Sequence, residues 1–195
     1  MRRFDREVID IELIDEMLKL FHTVHLGLTD EKCPYVVPLN FGHEIKADKL
    51  CIYIHTGKKG HKVDLIRKHP YASVTFSEFN DFPEHKYKQH VHDYRSVMAH
   101  GSITRIDGEK DLNAFKHAFD LLYICNNREI KEVTEAYLKT IDLYCIECDI
   151  KDVTAKSEFP IRTKEDVPFI DVYHMPDDET PFDISDIIQA RKQKH

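Results

Sequence analysis

The feature that most constrains the fold is a series of short segments, rich in β-branched and aromatic residues, that follow one another mostly through short turns. Such segments are typical of β-strands. Strands joined by short turns pair mainly antiparallel, because a parallel pair needs a long crossover connection. Six segments are predicted as strands, the first two forming a hairpin: 23–29, 35–42, 49–56, 71–79, 94–106 and 141–150.

Four other segments place apolar residues at helical spacing and predict helices outside the sheet. The first of them has Asp10 as its expected N-cap, and the second stops at Pro70. The helical segments are 10–21, 60–70, 108–123 and 130–141. The pattern therefore predicts a mainly β fold with peripheral α-helices, a small closed or split antiparallel barrel of six strands.

Two residues indicate irregular strands. Pro38 cannot donate a backbone hydrogen bond, so the strand over 35–42 is expected to have an edge or a bulge there. Gly101 is expected to form a bulge within 94–106. The polar, His-rich segment 80–93 is expected to be a long loop or an irregular strand pair.

The composition excludes several classes of protein. The chain has 195 residues, 42% hydrophobic and 32% charged, which is enough apolar material for a packed core. The net charge of −7 disfavours a global grip on nucleic acid or on an anionic membrane. The start of the sequence is not expected to act as a secretory signal, because no apolar core follows its basic residues, and no apolar run reaches the ~20 residues that a bilayer span needs. Five scattered cysteines indicate reduced thiols, so a cytoplasmic protein is expected.

The character of the chain changes after residue 155, where prolines become frequent. The segment 176–186 has five acidic residues and neither Lys nor Arg. We therefore predict a barrel domain over 1–155 and a C-terminal extension over 156–195. The extension is expected to wrap a surface and to end in a short helix near 183–192.

A basic, glycine-containing turn connects the apolar strand 49–56 to the following helix. Lys58, Lys59, His61 and Lys62 cluster there in a chain that is acidic as a whole. Glycines allow close approach of the backbone, and a helix N-terminus favours negative charge, so the turn could hold a phosphate. The segment has neither a Walker A nor a G-x-G-x-x-G pattern, and the alternative is a solvated basic turn.

The strand 35–42 is a second candidate site, because Pro38 leaves backbone groups unpaired nearby. The amide of Asn40 can both donate and accept hydrogen bonds. A planar heteroaromatic ligand could use these groups. The alternative is an ordinary bulged edge strand.

Histidines and cysteines offer further candidate sites. The histidines of interest are His85, His90, His92 and His100. His90 and His92 share a face if they lie on a strand and could bind a transition metal or haem. The alternative is surface histidines on a polar loop. Cys145 and Cys148 form a C-x-x-C on a predicted strand, where they face opposite sides, which favours a structural role.

Three segments in fixed order carry a resemblance to a known family: PYVVPLNFG, IYIHTGKKGHKVDLIRKHP and YRSVMAHGSITRI. They resemble the pyridoxamine 5'-phosphate oxidase-like FMN-binding split-barrel superfamily and, within it, the nitroimidazole-resistance branch. The similarity covers roughly residues 1–155. It implies a six-stranded split barrel that forms a homodimer with FMN in a groove between the subunits. A barrel of this size is filled by its own side chains, so a flavin must lie outside it.

The resemblance also implies which residues contact FMN, although none stands out as catalytic. Lys58 and Lys59 are secondary candidates for the phosphate, after His61 and Lys62. The residues implied to lie along the ring and ribityl chain are Val37, Pro38, Leu39, Asn40, His55 and Thr56. Those implied to lie at the phosphate are Lys58, His61 and Lys62, and the partner chain is implied to supply Arg95 and Ser96.

The chain departs from the classical oxidases in two respects. The segment 35–42 lacks the arginine with which those enzymes hold the phosphate, and the chain lacks the tryptophan of their C-terminal substrate-binding signature. Pyridoxamine phosphate is therefore not the expected substrate. We expect a flavoenzyme that takes hydride from NAD(P)H and reduces a small-molecule acceptor, as a nitroimidazole reductase does. The alternatives are a non-catalytic FMN-binding module, or a haem or metal protein using His90, His92 or His100.

Overall fold

The computed structural model describes residues 6–81 and 92–157. Among these, the helices are α1 (Ile11–Leu20), α2 (His61–Lys68), α3 (Leu112–Ile124) and α4 (Glu135–Thr140), with one 3₁₀ turn (Ile150–Asp152). The strands are β1 (Glu7–Val8), β2 (Val24–Leu28), β3 (Tyr35–Leu39), β4 (Gly42–Lys46), β5 (Lys49–Gly57), β6 (Tyr71–Asp81), β7 (His92–Ile106), β8 (Ile141–Asp149) and β9 (Thr154–Ser157). His85, His90 and the predicted helix near 183–192 lie outside the described residues.

The described strands form one antiparallel sheet with the path β3-β2-β6-β7-β8-β5-β4. β7 has 15 residues and is long enough to pair with two strands, one after the other, along the same edge. Its residues Arg95–Met98 pair with β9, and its residues Gly101–Ile106 pair with β8. In the described part of the chain the ladder does not close between β3 and β4, so the sheet is open there.

The sheet curls around one main core. Alternate residues of strands from both halves of the sheet point into it, and α1 packs there as well. β5 is buried on both sides, because Ile52 and Ile54 face this core while Tyr53 faces α3. α3 covers that outer face with Phe115 and Phe119. This two-sided burial explains why the segment reads as a nearly continuous apolar run.

The prediction of a mainly β, antiparallel fold with peripheral helices is confirmed. Asp10 caps α1, since its carboxylate accepts hydrogen bonds from the backbone N–H of Glu12 at 2.8 Å and of Leu13 at 3.3 Å. β2 and β3 form the expected hairpin, and Pro38 lies on an edge strand. None of the described helices is long and apolar enough to span a bilayer.

The prediction of six strands is wrong, because the described residues contain nine. The segment 35–42 is not one strand: β3 ends at Leu39, and Gly42 begins β4, which pairs with β5. β4 was missed because Gly-His-Glu-Ile-Lys contains one strongly apolar residue, and strand formation there depends on pairing with β5. β1 and β9 are too short to give a periodic signal.

The expected bulge at Gly101 is absent. The pairing register runs without interruption through Gly101, which lies opposite Ala72 on β6 and Cys148 on β8. A Cβ atom added at this glycine would lie 1.9 Å from the carbonyl oxygen of Glu147. Gly101 is therefore required by the close approach of the β8 backbone and not by a change in register.

The predicted helix over 130–141 is wrong in its first half. Only Glu135–Thr140 is helical, and the N-cap Thr134 has extended backbone angles. Val133 nevertheless packs against the α3 cluster. The apolar spacing that suggested a helix is thus satisfied by an irregular segment that lies against α3.

Candidate functional site

The candidate site begins where β5 ends at Gly57 and α2 starts at His61. Gly60 is the N-cap of α2 and has a φ of 124°, a conformation that residues with a Cβ rarely adopt. No side chain caps the helix, so its first backbone N–H groups have no side-chain acceptor. The turn therefore presents free donors together with the lysines that precede and follow Gly60.

Beside this turn lies a pocket of ≈ 180 Å³ between β5, the β3–β4 turn, the end of α3 and α4. Its lining combines aromatic rings with amide, imidazole and guanidinium groups: Asn40, His55, Phe119, Leu122, Tyr123, Asn126, Arg128, Tyr137 and Ile141. Sites for drug-sized ligands usually measure about 300–1,000 Å³. One chain thus offers room for part of a larger ligand, with donors around an apolar wall.

Positive charge accumulates at this pocket. Burial and the neighbouring charges of Lys62 and Arg128 lower the pKa of His55, so the imidazole is neutral near pH 7. Burial also lowers the pKa of the half-buried Lys62. Within the described part of the chain, Lys58, Lys62 and Arg128 make no ion pair, whereas Lys68 of the same helix pairs with Glu31 at 2.7 Å. Lys58 and Lys62 are half-buried and Arg128 is exposed, and cations without an acidic partner favour an anionic ligand.

The structure brings together some of the predicted residues. Asn40 and His55 line the same pocket, and Lys62 is close enough to His55 to affect its titration. Thr56 is buried, and its hydroxyl donates to the carbonyl oxygen of Gly57 at 2.7 Å. Since successive strand residues face opposite sides, Thr56 points away from the face that carries His55.

On β3, the half-buried side chains of Val37 and Leu39 pack against the main core, and Pro38 is exposed. β3 ends the sheet, so one side of its backbone has no neighbouring strand among the described residues. Contacts from this strand to a flavin ring would therefore come largely from backbone groups, and these contacts stay a prediction.

His61 already has a partner. Its Nε2 atom lies 2.8 Å from a carboxylate oxygen of Asp30, and the ring meets Tyr35 edge-on with centroids 5.2 Å apart. The carboxylate competes with any phosphate for this imidazole. The geometry favours Lys62 and Arg128 over His61 as the anion-binding groups, and the predicted role of His61 is untested.

Arg95 and Ser96 lie elsewhere in the same chain. They belong to the first half of β7, opposite Glu78 and Ser77 of β6 and beside β9. His55 is on β5, whose neighbour β8 pairs with the second half of β7. The implied contribution of Arg95 and Ser96 from a partner chain remains a prediction.

Sequence reasoning missed seven of the nine residues that line the pocket, and four of the seven are polar or charged: Tyr123, Asn126, Arg128 and Tyr137. They lie far from β5 in the chain, and no local motif links them to it. The one available signal was Arg128, a basic residue that follows the predicted helix 108–123 after two asparagines. The close packing of α3 against β4 and β5 brings Tyr123, Asn126 and Arg128 to His55, and Tyr137 of α4 packs against Phe119 of α3.

The histidine metal site gains no support from the described residues, in which no group of three or more His, Cys, Asp or Glu side chains is placed to hold a metal ion. His100 is exposed on β7, with its ring centroid 6.1 Å from that of Tyr71. For the C-x-x-C, the prediction of opposite faces is confirmed, because Cys145 packs under α3 and Cys148 in the main core.

A family model described as pyridoxamine 5'-phosphate oxidase matches residues 10–157, well over half of the chain. The chain belongs to the pyridoxamine 5'-phosphate oxidase family. The matched region contains β2 to β8, α1 to α4 and the whole candidate pocket. No curated protein is similar enough in sequence to count as a match.

Solved structures of other proteins have the same fold as this chain. A candidate 5-nitroimidazole antibiotic resistance protein from Bacteroides thetaiotaomicron aligns with a TM-score of 0.63 and 23% identity, over 77% of this chain and 86% of that chain. An FAD and heme binding protein from Mycobacterium smegmatis aligns with a TM-score of 0.61 and 16% identity, over 81% and 76%. The flavocytochrome Anf3 from Azotobacter vinelandii gives 0.55 and 18%, over 90% and 78%. These similarities confirm the split-barrel fold.

Proposed function

We propose that this protein is a flavoprotein that binds FMN and works as an NAD(P)H-dependent oxidoreductase on a small acceptor such as a nitro-aromatic compound. The observation that carries the proposal is the group of unpaired cations, Lys58, Lys62 and Arg128, beside a pocket lined by aromatic rings. Support also comes from structural relatives described as an FAD and heme binding protein and as a candidate 5-nitroimidazole antibiotic resistance protein.

The residues fit the parts of FMN. Lys62, Arg128 and Lys58, with the uncapped start of α2, would hold the phosphate through charge-assisted hydrogen bonds. The neutral imidazole of His55 can donate one hydrogen bond and accept another beside the ring, and the amide of Asn40 can do the same. When bound, FMN would supply the redox chemistry, accepting hydride from a reduced nicotinamide and passing electrons to the acceptor.

The pocket of one chain is too small for all of FMN, which supports a site completed by a second copy. At ≈ 180 Å³ it would cover part of the ring system and leave the rest open. In the proposed homodimer, the partner supplies Arg95 and Ser96 to cover the other side. The five free cysteines agree with a reducing, cytoplasmic location, which we include in the proposal.

The first test is to purify the untagged full-length protein, remove any bound cofactor and titrate it with FMN, FAD and riboflavin. Riboflavin has the same ring without the phosphate, so the ratio of the two affinities isolates the phosphate contribution. We expect FMN to bind at least about tenfold more tightly than riboflavin. Absence of binding by any flavin would refute the proposal.

Lys62→Ala tests the placement of the phosphate. Loss of one charge-assisted contact, worth about 1.5–3 kcal/mol, should weaken FMN about tenfold or more and leave riboflavin binding unchanged. Lys68→Ala is the matched control, because Lys68 lies on the same helix but pairs with Glu31. Equal FMN affinity in wild type and Lys62→Ala would mean that the phosphate lies elsewhere.

Catalysis is tested separately by stopped-flow mixing of the FMN-loaded protein with NADH or NADPH. Bleaching of the flavin absorbance, followed by recovery on addition of a nitro-aromatic acceptor, is expected. Tight FMN binding without reduction would identify a non-catalytic FMN-binding module. A Soret band on addition of haem, with no flavin bound, would instead identify a haem protein.

A further inference from the structure

A second chemical cluster shares no residue with the candidate pocket and joins three elements of the fold. Cys125 is the C-cap of α3, His43 lies on β4 and Asp15 lies on α1. The Sγ atom of Cys125 is 3.7 Å from Nδ1 of His43, and Nε2 of the same ring is 3.1 Å from Oδ1 of Asp15. The imidazole thus lies between a thiol and a carboxylate, the order found in activated nucleophiles.

The fold holds this geometry by close packing at Gly42. A Cβ atom at Gly42 would lie 2.6 Å from the backbone carbon of Leu121, so only glycine lets α3 approach β4 this closely. The amide of Asn126 then donates to the carbonyl oxygens of Phe41 at 2.9 Å and of Leu122 at 2.8 Å, which fixes the end of the helix. As a result the backbone N–H of His43 also points at Sγ of Cys125, at 3.5 Å.

The charges in the cluster support one another. Burial alone would lower the pKa of His43, which is 5% exposed, but the contacts with Asp15 and Cys125 raise it to about 9. Burial alone would raise the pKa of the Cys125 thiol, but the contacts with His43 lower it. The hydrogen bond with His43, assisted by Lys19, lowers the pKa of Asp15 to about 2. These contacts shift the pair toward a thiolate beside an imidazolium.

We propose that Cys125 is a reactive thiolate and a modification site for hydroperoxides, positioned by His43 and Asp15. Cys125 is half-buried, which admits a small oxidant more readily than a bulky electrophile. Sγ would attack one peroxide oxygen, so that an S–O bond forms, the O–O bond breaks and the sulfur is oxidised to a sulfenic acid. The departing oxygen would take the proton from the His43 imidazolium and leave as water or an alcohol.

The chain contains its own reference thiol, because Cys33 in the β2–β3 turn is exposed. We would treat the intact protein with a substoichiometric amount of hydrogen peroxide, trap sulfenic acid with dimedone and quantify both cysteines by peptide mass spectrometry. At pH 6.5 we expect Cys125 to be labelled at least about tenfold faster than Cys33, despite its lower exposure. Labelling of Cys33 at the same or a higher rate would overturn the proposal.

Two variants separate positioning from accessibility. Asp15→Asn should slow labelling of Cys125 several-fold at pH 6.5 and move the pH midpoint of its reaction upward, because the imidazolium loses its partner. Glu16→Gln is the matched control on the same helix, since Glu16 pairs with Lys19 and not with His43. An unchanged pH profile in Asp15→Asn, with the fold verified by circular dichroism, would refute the role of Asp15 in positioning the His43 imidazolium. Neither readout depends on bound flavin.

Discussion

At the scale of single residues, two glycines determine how closely neighbouring elements approach. Gly42 allows α3 to contact β4, and Gly101 allows β8 to lie directly against β7. In both cases the atoms that a Cβ would meet belong to the backbone, which cannot move aside as a side chain can. Both glycines are therefore expected to tolerate substitution poorly, even by alanine.

Gly101→Ala tests this argument. Its Cβ would lie 1.9 Å from the Glu147 carbonyl oxygen, so β7 and β8 must separate locally. We expect a loss of about 1–3 kcal/mol in the free energy of unfolding, measured by urea denaturation. Gly27→Ala is the control, because its Cβ would meet Ser73 at an ordinary distance of 3.6 Å. Equal stability of the two variants would contradict the close approach at Gly101.

At the scale of secondary-structure elements, α1 depends on its first turn. It buries Ile14, Met17 and Leu18 and carries Asp15 to the cluster around His43. Its start is fixed by the two hydrogen bonds that Asp10 accepts. Weakening the cap would therefore loosen both the packing of α1 and the position of Asp15.

Asp10→Ala removes both capping bonds and should lower the free energy of unfolding by about 1 kcal/mol. Thr134→Ala is the comparison, since Thr134 is the N-cap of α4 but makes no capping bond through its side chain. Urea titrations of the two variants should differ accordingly. If both variants lose the same free energy of unfolding, the side-chain hydrogen bonds of Asp10 contribute nothing measurable to stability.

The same elements show how far the sequence predicts the structure. α1, α2 and the hairpin of β2 and β3 follow from local signals that tertiary packing does not oppose: a capping residue, a terminating proline and a regular alternation. β4 and the close approach at Gly101 depend on which strand lies next to them, which one local pattern does not contain. Asn40, His55 and Lys62 could be placed by motif, but Arg128 and Asn126 reach the pocket only through the packing of α3.

At the scale of the whole molecule, the proposed site needs two chains, and this can be tested by complementation. Lys62→Ala and Arg95→Ala each remove one cation from opposite sides of the proposed interface. A heterodimer of the two variants, isolated with two different tags, would contain one site with both defects and one intact site. We expect it to bind one FMN with wild-type affinity and one weakly.

If Lys62 and Arg95 of the same chain served one site, both sites of that heterodimer would be defective. Uniformly weak binding, or a monomeric mass for the wild-type protein by light scattering with FMN present, would contradict the shared site. The homodimers of each variant are the matched controls, because both of their sites carry a single defect.

Pro38 has a consequence for association with other molecules. It lies on β3, the terminal strand of the sheet, where its missing donor interrupts the row of backbone groups that another chain could pair with. An incoming strand cannot extend the ladder past this point without losing a hydrogen bond. Along β3, Pro38 thereby disfavours the edge-to-edge strand addition that leads to aggregation.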